Sequence, residues 1–67
     1  MSHPEIMTVS GDVIGVEGSL GEVEKALSDA ARSGSSRFAW FTDKSTGERT
    51  GVNPDHVVSL RLSDADN

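Results

Sequence analysis

Asp55 and His56 are the one place where an acid and a histidine adjoin, and Ser59 follows three residues after His56. A nucleophile, its base and an orienting carboxylate must converge within hydrogen-bond reach. Adjacent residues leaving a turn point apart, so Asp55 is expected to bond its own turn backbone and His56 to begin a strand. No catalytic residue is assigned. His3, the other of two histidines, is far from His56 in sequence, and there is no cysteine to supply thiolates. That leaves no metal-ligand spacing. Glu17, Glu22 and Glu24 could attract a hard cation, but no D-x-D-x-D-G loop surrounds them. They read as solvated charges, and neither a metal nor a cofactor is expected.

Gly15, Gly18 and Gly21 fall between a β-rich run and a helical run, where phosphate-binding turns occur. Their spacing does not fit G-x-G-x-x-G or a P-loop, and no lysine follows where a P-loop requires one. Glu17 and Glu22 would also repel phosphate from that helix start. Structural glycines are the better account.

Binding chemistry is concentrated in the second half. Arg37, Arg49 and Arg61 share a strand parity with Phe41 and Val57, so the five form the candidate interaction face. As an ordinary half-exposed sheet, such a face lets arginine stems cover apolar neighbours. As an interface, it makes Phe41 and Val57 the centre and the arginines the rim. As a nucleic-acid or nucleotide platform, it would stack a base on Phe41 and hold phosphate with the arginines. The last role needs more aromatics and fewer acids than the chain has.

These side chains must be positioned by a short run of elements. Val/Ile-rich segments at 5–9 and 13–17 flank Ser10-Gly11-Asp12, which reads as a hairpin or as one strand with a bulge at Gly11. Residues 1–4 are expected to be loose, since Pro4 cannot donate to a sheet ladder. Ser19 with Glu22 forms a capping box, and Leu20, Val23, Leu27 and Ala30 repeat at helical spacing up to a stop at Gly34. Alternating "RFAWFTD" predicts a strand, and Gly47 closes the loop to a return strand, "ERTGVN". Asn53-Pro54 fits a type I turn leading into the last strand, "HVVSLRL". The tail 63–67 is polar and expected to fray.

Together these give an α+β domain: a small antiparallel sheet of four to five strands packed on one helix, in the order ββαβββ or βαβββ. The even-numbered residues Phe38, Trp40, Thr42, Thr50, Val52, Val58, Leu60 and Leu62 are expected on the side facing the helix. Trp40 is then the main buried anchor, near Leu20, Val23 and Leu27.

Sixty-seven residues form one domain, spanning 1–67. A chain of this size hides only about 60% of its unfolded surface, so small domains are commonly reinforced by disulfides, metals or self-association. With cysteine absent, self-association is the expected reinforcement, through the arginine-bearing face or the final strand. The net charge of −5 disfavours nucleic acid and anionic membrane. It is unevenly spread: residues 1–31 balance to −5 (six acids, one lysine), residues 32–62 to +2 (five bases, three acids), and the tail adds −2. No long apolar run or signal-peptide pattern occurs. The expectation is a cytoplasmic, non-enzymatic interaction module that pairs with itself or with another protein.

Overall fold

The computed structural model describes residues 2–33 and 38–63. The element order is β1 (His3–Thr8), β2 (Val13–Gly15), α1 (Leu20–Arg32), β3 (Ala39–Thr42), β4 (Arg49–Val52), a 3-10 turn (Pro54–His56) and β5 (Val57–Ser63). The fold is α+β in the order ββαβββ.

The helix begins where the local chemistry dictates. Ser19 Oγ accepts from the Glu22 amide at 3.1 Å, and Glu22 Oε1 accepts from the Ser19 amide at 2.8 Å. Both ends of the capping box are therefore made. Val23 and Ala30 are buried, and Ala26 and Leu27 pack beside them on one stripe. The opposite face is charged, with Asp29 between Lys25 and Arg32 at 3.1 and 2.9 Å. Ser33 caps the end, its amide donating to the Ala30 carbonyl; the expected stop at Gly34 lies outside the described residues.

The strands form a three-stranded sheet, β2-β1-β5, and a two-stranded ribbon, β3-β4, all pairings antiparallel. They are joined by the continuation of β2: Val16 bridges Asp43, the Glu17 amide donates to the Thr42 carbonyl at 3.0 Å, and the Lys44 amide to the Gly15 carbonyl at 2.9 Å. The lateral order is thus β4-β3-β2-β1-β5. β4 and β5 sit at opposite ends of that order, yet only Asn53 and the 3-10 turn connect them. So short a link requires the sheet to curl until its ends approach, and the curl wraps the strands around the core.

Pro4 lies inside β1 and is fully buried, against the expectation of a loose start. Its carbonyl accepts from the Val16 amide at 3.0 Å. In a strand, a residue's N–H and C=O point the same way, so the missing donor of Pro4 faces β2 and its ladder with β5 is untouched.

The core consists of Ile6, Val16, Val23, Ala30, Ala39, Phe41 and Val52. The expected sorting of faces is therefore corrected. Phe41 is 6% exposed, whereas Trp40 is 55% and Phe38 52% exposed. Trp40 is not the core anchor; Phe41 is. The reason is register, since β3 and β4 pair Phe41 with Thr50 and Trp40 with Gly51. Directly opposite residues share a face, so Phe41 joins Ala39, Thr50 and Val52 on the inner side. Trp40 lies on the outer side over Gly51, where a Cβ would meet its ring at 3.0 Å.

β5 departs from simple alternation too. Met7 pairs with Ser59 but Thr8 with Val57, so Val58 is the extra residue of a bulge. Val57 and Leu60 both pack on the core, while Val58 and Leu62 are left 60% and 52% exposed.

Candidate interaction groove

Two hydrogen-bonded turns and the start of β3 border an open groove of about 450 Å³. Half-buried Ile14 and buried Val52 belong to its lining, with Gly51 alongside. Val9, in the β1–β2 turn, and Phe38, just before β3, add apolar side chains to the lining, and both are largely exposed. Ser10, Asp12, Asn53 and His56 supply its polar groups.

The turns are built rigidly. Thr8 and Ser10 share a hydroxyl hydrogen bond at 2.9 Å, and Ser10 Oγ donates to Asp12 Oδ2 at 3.1 Å. The Thr8 amide donates to the Asp12 carbonyl at 2.9 Å, and Gly11 adopts φ of 93°, which a residue with a Cβ rarely tolerates. Across the groove, Asn53 Oδ1 accepts from the Asp55 amide and the Asn53 carbonyl from the His56 amide, each at 2.9 Å. This is the asparagine-proline turn predicted from sequence, here as one turn of 3-10 helix. The Val9 amide donates to the His56 carbonyl at 2.8 Å, pinning one turn to the other. The groove is preformed.

An aromatic pair extends it. The Phe38 and Trp40 rings stand 6.3 Å apart at 46°, a tilted contact on the outer side of the ribbon. Groove and pair together form a surface with an apolar floor and a polar rim, the usual make-up of a binding site.

The five residues of the sequence-derived face are not brought together. Phe41 is buried in the core, and Val57 is half-buried against it. Arg49 is on the ribbon, its Nη1 donating to Thr42 Oγ1 at 3.4 Å. Arg61 is on the other sheet, its Nε donating to Glu5 Oε1 at 2.9 Å. Arg37 lies outside the described residues. Asp55 and His56 are exposed on the 3-10 turn.

A second cavity, about 380 Å³, is lined by His3, Glu5, Val13, Gly15, Lys44 and Ser45 on the three-stranded sheet. His3 Nε2 is 3.6 Å from Glu5 Oε2, and Glu5 also holds Arg61. Among the described residues, no group of three or more histidines and acids could hold a metal ion. No described helix is long and apolar enough to cross a membrane.

The chain matches no family model, and no curated protein or solved structure matches it.

Sequence reasoning missed Val9 and Phe38 because it assigned Val9 to a strand and Phe38 to the core. The signal that was present was Gly51 itself, since a glycine inside a strand often marks a close approach by another group; the structure puts the Trp40 ring there.

Proposed function

We propose that the protein is a non-enzymatic interaction module that takes an extended segment of a partner protein into the groove between the β1–β2 turn and the 3-10 turn. The observation behind this reading is the groove itself: exposed Val9 and Phe38 over an apolar floor, on turns pinned together by the Val9–His56 hydrogen bond. A preformed, half-apolar cleft lowers the ordering cost of binding. An open cleft that continues onto the Phe38–Trp40 pair suits a chain lying across it better than a compact ligand. Polar side chains at the rim can meet the backbone groups of that chain.

Charge narrows the partner. Asp12 lines the groove, Asp55 lies on the adjoining turn, and the whole chain carries −5. A segment with apolar side chains and flanking basic residues complements that surface, and acidic rim charge would raise its association rate.

Selection from a random peptide display library, followed by titration of a selected peptide under NMR, tests the reading. Enriched peptides should combine apolar and basic residues, and amide shifts should cluster at residues 8–12, 38–40 and 51–56. Phe38→Asp should abolish binding while leaving the circular dichroism spectrum unchanged, since Phe38 is half exposed. Failure to enrich peptides, or shifts centred elsewhere, would overturn it.

A further inference from the structure

The surface around the Phe38–Trp40 pair is polarised in charge. The groove end is acidic: Asp12 lines it, and Asp55 is exposed on the adjoining turn. The hairpin end is basic. Trp40 faces Gly51 and Thr42 faces Arg49, so Arg49 shares the outer side of the ribbon with Trp40. The bond from Arg49 Nη1 to Thr42 Oγ1 holds the guanidinium on that side. Lys25 and Arg32 are held by Asp29, and Arg61 by Glu5. Arg49 is exposed, and neither Glu17, Glu48 nor any other described carboxylate pairs with it. Its bond to Thr42 is long, at 3.4 Å, so most of the guanidinium fork is unspent.

We infer that Arg49 takes an aspartate or glutamate side chain of the bound segment, whose basic residues lie at the groove end and whose acid lies at the hairpin end. The inference rests on the peptide-binding reading and adds a direction to it. An extended segment running along β3 turns alternate side chains to the surface, one about every 7 Å. That is also the spacing of successive outer side chains on β3, from Trp40 to Thr42. The acid therefore falls two positions past the residue packed on Trp40. Arginine and carboxylate match as a planar, charge-assisted pair. The reverse direction would set the acid against Asp12 and the base against Arg49, two like-charge contacts that disfavour it.

Parallel display selections on the wild type and on Arg49→Glu test the direction. The wild type should enrich peptides with an acid at that position, and Arg49→Glu should enrich a lysine or arginine there, around the same apolar residues. For one wild-type peptide, Arg49→Ala should raise the Kd by roughly two- to fivefold, the range of an exposed ion pair. About 0.5 M salt should erase most of that difference. Arg49 is exposed, so its variants should keep the wild-type circular dichroism spectrum. A spin label on the acidic end of the peptide should broaden the amides of Thr42 and Arg49, and one on the basic end those of residues 8–12. Swapped broadening, or peptides that bind at residues 38–40 without responding to Arg49, would overturn the inference and leave the groove reading standing. No enrichment on either protein would overturn both.

Discussion

Phe41 and Trp40 are neighbours in sequence, and β3 sends them to opposite sides of one ribbon. Phe41 enters the core beside Ala39, Val52 and the helix stripe. Trp40, the larger ring, stays outside, lying over Gly51 and against Phe38. Apolar size therefore does not decide which side chain is buried. What decides it is the residue opposite: Thr50 and Val52 line the inner side, while Gly51 leaves a bare strip of backbone on the outer side for a ring to cover. The inner side supplies stability, and the outer side is left exposed, with Trp40 and Phe38 at its surface.

Truncating the inner ring is the most severe way to break this comparison. Phe41→Ala should cost about 3–5 kcal/mol, the range for large aromatic truncations in cores. Small domains have a total stability near 5 kcal/mol, so this variant should be largely unfolded at 25 °C. Circular dichroism melting checks it. A cooperative transition close to that of the wild type would mean that Phe41 is not the anchor.

The outer ring should behave differently. Trp40→Ala removes a half-exposed side chain and one aromatic contact, worth about 0.5–1.5 kcal/mol. The variant should remain folded. Native tryptophan emission should lie near that of the solvent-exposed indole and be readily quenched by iodide. A blue-shifted, protected emission would place Trp40 inside and reverse the assignment.

The difference between these side chains was hidden by arithmetic at a turn. Asp43 and Glu48 close the hairpin, the Asp43 amide donating to the Glu48 carbonyl at 2.8 Å. Four residues, 44–47, lie between them, so facing residues sum to 91 and an even number always faces an odd one. Sorting both strands by one parity put Trp40 with Thr50 and Val52, on the wrong side. The bulge at Val58 caused a second slip of the same kind in β5. Features set within a few residues were legible: the Ser19–Glu22 cap, Gly47 at φ of 76°, and the Asn53-Pro54 turn. Strand phase depends on how many residues a turn or bulge absorbs. That count is settled by long-range pairing, and the groove was missed with it because Phe38 follows the phase of Trp40.

The turn that sets this register offers the finest test. Asp43 Oδ1 accepts from the Ser45 hydroxyl at 2.7 Å, the Ser45 amide at 2.8 Å and the Thr46 amide at 3.2 Å. These bonds, the Ser45 hydroxyl foremost, hold the Asp43 carboxyl below its ordinary value of 3.8. A carboxylate depressed in the folded state contributes stability above the unfolded value and loses it as pH falls through the folded one. Asp43→Asn keeps an oxygen acceptor but cannot titrate. The gap in melting temperature between wild type and Asp43→Asn should therefore be constant from about pH 7 to about pH 5, then shrink below about pH 4. Asp29, also depressed by its bonds to Lys25 and Arg32, titrates in both proteins and cancels in the difference. The effect should be small, because Asp43 lies at an exposed turn where water competes for the same bonds. A gap that widens on acidification would mean that the charge strains this turn, and the register that buries Phe41 and exposes Trp40 would have to be held by the strands alone.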